Sequence, residues 1–349
     1  MRVAFRIGVC LVFLLAAPLL AAATVLVVSP DGSADHRTIR GAMNAASFGD
    51  VIHVAGGVYE EQVVLKNGVT VVGSGPQQTV VRYSYGFDPV LVIDHVSSGR
   101  IEGMTIERGA SILEGSVVMV TAGSADLADC VISGGMGPGV DVGDLASNLA
   151  LESVTIEDNA GAGISVHDGA RVTLDRCTVL GNEGAGAWVQ DRGQLEATGS
   201  RFESNEGGGV ALEASATASL DGCEITGHAA SGLLVTGDAR AVASDLTVTK
   251  SGSGAVRLTS RAFGQFTRLR VEGGSGGIEC EDEATCTVDG GRFDAVDGTS
   301  LHAVGTASIS ARTCEVVGGG GDGVVFESAI RCELTYSTVA RNADKGGFD

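Results

Sequence analysis

Three consecutive segments of the sequence decide the fold: NAGAGISVHDGARVTLDRCTVLG from residue 159, NEGAGAWVQDRGQLEATGSRFES from residue 182 and NEGGGVALEASATASLDGCEITG from residue 205. Each has 23 residues and begins with Asn and a Gly-rich stretch. The period continues, with slips of one residue, through units that begin near residues 228, 251, 274, 296 and 319. A fixed period of this length indicates a solenoid, in which each repeat buries its apolar side only against its neighbours.

Apolar residues alternate within each unit in short pairs, which is the spacing of half-buried strands and not of helices. Similar residues recur at the same positions from unit to unit, as parallel in-register stacking requires. The sequence therefore predicts an all-β right-handed parallel β-helix of about twelve coils over residues 51–341, with a 23-residue repeat and three short strands per coil. In the unit that begins at residue 159 the three pairs are Ile164/Val166, Val172/Leu174 and Cys177/Val179.

One Asn of each quoted repeat occupies the same turn position: Asn159, Asn182 and Asn205. Stacked Asn side chains can hydrogen-bond along such a column, as in other ladders of identical side chains. We interpret these three residues as a structural ladder and not as ligands.

Seven of the eight cysteines lie beyond residue 23. Cys177 and Cys223 are two coils apart, which places their Cα atoms about 9 to 10 Å from each other, too far for a disulfide. Cys280 and Cys286 flank a short turn within one coil and are the candidate disulfide. No Cys and His spacing indicates zinc, so the remaining thiols are expected to fill the core.

Residues 1–23 resemble a secretory signal peptide, with Arg2 and Arg6 before an apolar stretch and three Ala residues at the end. We therefore expect a secreted protein, periplasmic or extracellular. No second apolar run is long enough to span a membrane. The net charge is −20, and losing Arg2 and Arg6 would make it more negative by two, which argues against nucleic acid as a partner.

The remaining residues, 24–349, are expected to form a single domain. Residues 24–50 would supply a strand and a helix that covers the open edge of the first coil. Asp35 is the expected N-cap of that helix. The apolar residues that fall on one face of it are Ile39, Ala42, Met43 and Ala46.

The coils end near residue 341, and the tail over residues 342–349 is too short and polar to cover the last one. An uncovered strand edge is a surface on which another chain can pair. The sequence thus predicts that this edge could support self-association.

The segment DGSADHRTIRGAMNAASFGDVIHVAGGVYEE, residues 31–61, resembles the opening of pectin methylesterases and of many secreted proteins of the pectin-lyase-like superfamily. The later repeats resemble the generic β-helix repeats of the same superfamily. This resemblance implies the fold, but not the chemistry. The Gln-Asp pair of the esterases has a counterpart only in Gln190 and Asp191, which lie in a turn, and the polygalacturonase Gly-His-Gly motif only in Gly227-His228-Ala229.

The coil over residues 76–109 is the longest, and its loops are where a binding cleft would form. YGFDPV, residues 85–90, resembles the YGFDPH segment of alginate C5-epimerases, but Val90 replaces the His. VIDH, residues 92–95, resembles a pectate lyase segment, but Val92 replaces its Trp. If the coil holds a catalytic or binding site, its members are Arg82, Tyr83, Tyr85, Asp88, Asp94 and His95.

The alternation predicts an ordinary strand and turn as the competing interpretation of this coil. In that frame Val90 and Val92 point inward, and Asp94 and His95 occupy the turn that follows. Each motif lacks one residue that its family uses, so the sequence contains no full catalytic set.

Trp188 points outward from its strand, with Ser165 and Ala211 one coil away on either side. An indole on such a flat platform of small residues is suited to stacking against a sugar ring. Acidic runs such as Glu281-Asp282-Glu283 are candidate calcium ligands, although the repeat of calcium-loaded β-rolls is absent. We expect no other cofactor.

These observations favour a secreted β-helix protein that binds a polysaccharide or another extracellular glycan. One alternative is a divergent polysaccharide lyase, epimerase or glycoside hydrolase with its site on the coil over residues 76–109. Another is a structural surface or adhesion protein.

Overall fold

A computed structural model describes residues 23–109, 114–327, 329 and 331–342. The expected signal peptide, apart from residue 23, and residues 343–349 of the expected tail lie outside the described residues. The chain winds into three parallel sheets of 14, 13 and 12 strands, called here the first, second and third sheets in the order in which each coil visits them. The strands form about thirteen turns of a β-solenoid, one more than the sequence predicts.

Each strand, except the first and last of each sheet, pairs in parallel with the equivalent strand of the coil before it and the coil after it. The first sheet contains Val25–Val28, Val51–Val54, Thr70–Val72, Arg100–Glu102, Ser124–Ala128, Asn148–Glu152, Arg171–Asp175, Gln194–Thr198, Thr217–Asp221, Arg240–Ser244, Phe263–Thr267, Thr285–Asp289, Ser308–Arg312 and Arg331–Thr335. The second sheet contains Gly57–Glu60, Thr79–Tyr83, Thr105–Arg108, Val131–Ser133, Thr155–Glu157, Thr178–Leu180, Arg201–Glu203, Glu224–Thr226, Thr247–Thr249, Arg270–Glu272, Arg292–Asp294, Glu315–Val317 and Thr338–Ala340. The third sheet contains Val63–Val64, Leu91–Asp94, Val118–Thr121, Val140–Gly143, Ile164–Val166, Ala187–Val189, Val210–Leu212, Leu233–Val235, Val256–Leu258, Ile278–Cys280, Leu301–Val304 and Val324–Glu327.

The register confirms the predicted repeat. Ile164 pairs with Ala187 and Val166 with Val189, so the inward side chains of successive coils stack into continuous apolar columns. All four side chains are buried. One coil could not bury them alone, because its inward side chains meet the interior of the rod only through the coils above and below.

The helix Ile39–Ala45 covers the first coil, as predicted, and buries Ile39, Ala42 and Met43. Its N-cap, however, is Thr38 and not Asp35: the Thr38 hydroxyl accepts a hydrogen bond from the Gly41 backbone N–H at 3.0 Å. The chain is still extended at His36, which bridges to Val28, so the helix begins too late for Asp35 to cap it. The Asp35 carboxylate instead accepts from the Val27 N–H at 3.2 Å.

The loop that joins a second-sheet strand to the next third-sheet strand is called here the second-to-third corner. From residue 159 onward this corner carries a buried column of polar side chains. Asn159 Nδ2 donates to Asn182 Oδ1 at 2.9 Å, and Asn182 Nδ2 donates to Asn205 Oδ1 at 2.8 Å. The backbone N–H groups of Asn159 and Asn182 donate to the same two oxygens.

His228 occupies the next position of this column. Its Nδ1 atom accepts from the Asn205 N–H at 3.1 Å, and its Nε2 atom lies 3.1 Å from the Phe202 carbonyl oxygen. Since a carbonyl can only accept, Nε2 carries the proton and the imidazole is neutral. Burial lowers the pKa of His228, which keeps it neutral.

Cys280 and Cys286 are free thiols in the structure and do not form the candidate disulfide. Both point into the core, where Cys280 stacks between Leu258 and Ala303. The neighbouring Cys280 thiol and burial together raise the pKa of Cys286. They serve as apolar filler in neighbouring columns.

The last described coil is less enclosed than the others. Its inward side chains are only partly buried: Phe326, Cys332, Leu334 and Val339. Among the residues that the structure describes, no helix is both long enough and apolar enough to cross a membrane.

Candidate functional site

The structure divides the six candidate residues of the longest coil between two corners. Arg82 and Tyr83 end the second-sheet strand Thr79–Tyr83, and Tyr85 and Asp88 follow in the second-to-third corner. Asp94 and His95 lie at the other end of the third-sheet strand Leu91–Asp94. That strand spans about 10 Å between its terminal residues. The six side chains therefore do not form one cluster.

Arg82 is engaged in a structural ion pair. Its Nε donates to Glu107 Oε1 at 2.6 Å, one coil away, and its Nη1 lies 3.5 Å from Glu60 on the other side. The hydrogen bond and the charge of Glu107 raise the pKa of Arg82. The neighbouring rings of Tyr83 and Tyr85 contact each other edge to face, with centroids 5.6 Å apart.

Asp94 and His95 form an exposed pair in which Nδ1 of the imidazole lies 2.7 Å from the carboxylate. The inward residues of their strand are Leu91 and Ile93, so the expectation that Val92 points inward is wrong. The observed alternation of inward side chains is shifted by one residue from the predicted one. The reason is that the buried Val90 lies before the strand and is not part of its alternation.

A second group of polar side chains lies on the outward surface of the third sheet. We call this surface the third-sheet face: the outward side chains of the strands from Leu91–Asp94 to Val210–Leu212, with the turns that directly follow those strands. Trp188 lies on the fifth of its six strands, paired with Ser165 on one side and Ala211 on the other. Although all three residues point outward, Ser165 and Ala211 are only 4% and 8% exposed, whereas Trp188 is 36% exposed. The indole therefore lies against a platform of small residues and keeps part of its surface open to solvent.

His167 lies diagonally beside Trp188, two residues beyond Ser165 on the same chain segment. Its Nδ1 atom is 2.8 Å from Asp168 Oδ2, and its Nε2 atom is 3.2 Å from Asp141 Oδ1 on the preceding coil. Burial alone would lower the pKa of His167, but the two carboxylates together outweigh burial and raise it. An imidazole between two carboxylates holds both of them in place, and their remaining oxygens can accept hydrogen bonds from sugar hydroxyls.

The Asp141 and His167 pair borders an open groove of about 540 Å³. The groove is lined by backbone and side-chain atoms of Met119, Val120, Thr121, Asp141, Gly143, Asp144, Leu145, His167 and Asp168. Trp188 is one strand beyond His167, so the groove and the indole follow each other along the rod axis.

The third-sheet face is strongly acidic. In the described residues that make it up, one arginine, Arg192, stands against six carboxylates. These are Asp94, Asp141, Asp144, Asp168, Asp191 and Glu213. No three or more His, Cys, Asp or Glu side chains of the described residues converge in a way that could hold a metal ion. The excess of carboxylates on this face disfavours an anionic ligand, as does the net charge of −20.

The sequence analysis identified Trp188 but missed Asp141 and His167. The pairing register places Asp141 opposite Ser165, which is paired with Trp188. Asp141 and Ser165 are separated by 24 residues, one more than the regular repeat, which hides their shared column in the sequence. Aligning VDVGD, SVHDG and WVQDR by their inward Val residues would have revealed it.

The chain belongs to the family described as "Right handed beta helix region", whose model matches residues 90–245 and 208–348. The structure is also similar to two A-modules of mannuronan C-5 epimerases from Azotobacter vinelandii. For AlgE6 the TM-score is 0.63 at 13% identity over 86% of this chain and 93% of that one. For AlgE4 the TM-score is 0.60 at 14% identity over 86% and 91%.

A third similar structure is the catalytic unit of the GH87 alpha-1,3-glucanase from Streptomyces thermodiastaticus, with a TM-score of 0.54 and 14% identity. The match covers 86% of this chain and 65% of that one. At such identities the likeness shows the fold alone, and these solved structures are of proteins named as acting on polysaccharides. A search of curated proteins finds no match.

Proposed function

We propose that the protein is a secreted glycan-binding protein and that it binds polysaccharide on the third-sheet face. The observation that carries this proposal is Trp188, which lies on a platform of small residues with part of its ring open to solvent. Stacking of a sugar ring on such a surface is favourable because both surfaces are flat and apolar. The signal-like residues 1–23 support secretion.

The ligand that fits this face is a neutral polysaccharide. The six carboxylates of the face would repel a polyuronate, whereas they can accept hydrogen bonds from sugar hydroxyls, and His167 holds two of them, Asp141 and Asp168, in place. Calcium could bridge a polyuronate to these carboxylates, so binding should be measured with and without calcium.

Replacement of Trp188 by Ala tests the proposal. We expect affinity for linear neutral glucans or mannans to fall by roughly tenfold or more, as for the loss of an aromatic anchor worth about 1.4 kcal/mol. Trp188→Phe should retain part of the affinity, because a smaller ring still stacks. Titration calorimetry against a panel of neutral and acidic oligosaccharides gives the readout.

Tyr336→Ala is the matched control, since Tyr336 is an exposed aromatic residue on the last coil, away from the third-sheet face. We expect this variant to bind like the wild type. Equal affinity of Trp188→Ala and the wild type for every glycan that the wild type binds would refute the proposed site.

The contact between Asp94 and His95 favours a second candidate function, a divergent polysaccharide lyase, epimerase or hydrolase on the longest coil. An imidazole next to a carboxylate is a common arrangement for a general base. Asp94→Ala and His95→Ala should then abolish turnover of a polysaccharide while leaving Trp188-dependent binding intact. Unchanged turnover in both variants would eliminate this candidate.

The partly buried apolar side chains of the last described coil favour the third candidate, a structural or adhesion role through self-association. Sedimentation velocity over a wide concentration range tests it. A monomer at every concentration would count against that role, and it would leave the glycan-binding proposal untouched.

A further inference from the structure

The second-to-third corner of the longest coil, residues 84–89, presents two exposed aromatic rings. Tyr85 is 73% exposed and Phe87 is 68% exposed. Large apolar side chains exposed together in one short segment commonly mark a contact surface. The corner lies directly before the third-sheet strand Leu91–Asp94, at the border of the third-sheet face.

A buried arginine holds this corner in place. Arg108 is only 5% exposed, and its Nη1 donates to the Asp88 carbonyl at 2.9 Å and to the Ser116 carbonyl at 3.4 Å. Its Nη2 donates to the Gly86 carbonyl. In the part of the chain that the structure describes, no carboxylate pairs with Arg108, and its buried Nε has no hydrogen-bond partner.

Burying a guanidinium without a carboxylate is costly, so the carbonyls of the corner must be held where they compensate it. Two of these carbonyls belong to Gly86 and Asp88, on either side of Phe87. The backbone that carries the aromatic rings is therefore fixed, although the rings themselves face solvent. Such a pre-ordered aromatic surface loses little conformational entropy when a ligand binds.

The backbone of the corner packs against the next coil. The Phe87 carbonyl packs so closely on Gly115 that a Cβ atom at residue 115 would lie 2.7 Å from it. Gly115 and Ser116 lead into the third-sheet strand Val118–Thr121 of the next coil. The aromatic corner is thus packed against the coil that follows it, in the direction along the rod in which the groove, His167 and Trp188 lie.

Four coil steps separate the strand Leu91–Asp94 from the strand Ala187–Val189 that carries Trp188. At about 4.8 Å per step, the two aromatic surfaces are about 19 Å apart along the rod. Only a ligand several sugar units long can reach both. The groove beside Asp141 and His167 lies between them.

We propose that residues 84–89 form a second contact for the same polysaccharide, so that a long chain lies along the rod and binds at both Trp188 and the aromatic corner. Arg108 is the positioning residue of this second contact. This inference rests on the proposed function. Its consequence is that affinity rises with chain length, since the second contact forms at a high effective concentration once the first is made.

The test compares short and long oligosaccharides of the linear neutral glucans and mannans, by calorimetry, on the full secreted chain. Tyr85→Ala/Phe87→Ala should lower affinity for the long oligosaccharides roughly tenfold and leave affinity for the shortest ones unchanged. Arg108→Lys should have the same length-dependent effect, because Lys cannot hold three carbonyls in a fixed fork. Phe48→Ala is the matched control, since Phe48 is equally exposed but lies near the N-terminal helix.

The outcomes separate the two proposals. If Trp188→Ala lowers affinity but Tyr85→Ala/Phe87→Ala affects neither length, or affects both lengths equally, the second contact is refuted and the proposed function stands. If Trp188→Ala changes nothing, the proposed function is refuted and the second contact with it. If Arg108→Lys does not fold, the test rests on Tyr85→Ala/Phe87→Ala, which removes no buried side chain.

Discussion

The same corner of the coil is built in two ways in this protein. In the coils that begin at Asn159 it is closed by buried amides, each hydrogen-bonded to the next. In the longest coil it is a loop whose backbone is held from beneath by Arg108 and whose rings, Tyr85 and Phe87, face solvent. Both solutions give hydrogen bonds to the backbone of the corner, but only the second leaves side chains available to a ligand.

The difference shows how a repeat fold separates stability from recognition. A ladder works because side-chain acceptors recur at one position, so a substitution that removes the acceptor leaves a neighbour without its partner. A loop that occurs once has no such constraint and can carry unusual residues, provided that one buried group orders it. Stability is therefore expected from the repeated corners, whereas an ordered loop that interrupts the repeat can add a contact surface.

The largest expected effect is on the ladder. Asn182→Ala should lower the free energy of unfolding by about 3 kcal/mol, because it removes several hydrogen bonds at once and leaves the buried amide of Asn159 without its acceptor. Chemical denaturation measures the change. Asn148→Ala is the control, since Asn148 is exposed, and it should cost less than about 0.5 kcal/mol. Equal losses in the two variants would contradict the ladder.

The next effect is a pH dependence at His228. Because burial lowers the pKa of His228 in the folded protein, the unfolded chain takes up a proton first, and stability should fall as the pH drops below about 6.5. The slope from one such group cannot exceed about 1.4 kcal/mol per pH unit. His228→Asn would extend the ladder with a group that does not titrate and should remove this part of the slope.

The variant must be compared with the wild type, because the shifted pKa of His167 changes stability with pH in the opposite direction. Its pKa is raised, so its contribution is present at low pH and is lost as the pH rises through the folded-state value. Unfolding of both proteins should therefore be followed from pH 5 to 8. Parallel stability curves for wild type and His228→Asn would show that folding does not lower the pKa of His228.

The smallest effect concerns the third-sheet face. Asp141→Asn should lower the pKa of His167, because one of the two carboxylates that raise it becomes neutral. NMR titration of the imidazole measures this change. Asp144→Asn is the control: Asp144 lines the same groove, but its carboxylate accepts from the Ala146 N–H. Identical titrations in the two variants would contradict the geometry of the His167 contacts.

The sequence predicted most of the fold because the same apolar pattern recurs in each repeat. The alternation of Ile164 and Val166 defines a strand, and its recurrence at fixed spacing defines the stacking. The outward position of Trp188 followed from the same register. The prediction for Val92 was wrong because the period slips there and neighbouring coils give no register to copy, and the one for the helix N-cap was wrong at a segment that precedes the repeat.

The site was harder to predict for the same reason. Asp141 and His167 meet only because two coils of different length are in register, and the role of Arg108 depends on three carbonyls that carry no signature in the sequence. The candidates chosen from motifs, Arg82 and Asp94 among them, were neighbours in the sequence but lie at different corners in space.

The most direct test of glycan binding on the third-sheet face uses the fluorescence of Trp188, the only tryptophan in the sequence. The chain would be titrated with linear neutral oligosaccharides of increasing length and with a polyuronate, each with and without calcium. We predict a saturable change in emission with a neutral glycan, reached at lower concentration as the chain lengthens, and none with the polyuronate in the absence of calcium. Binding of a glycan by calorimetry with no change in Trp188 emission, or no response to any glycan, would contradict the account.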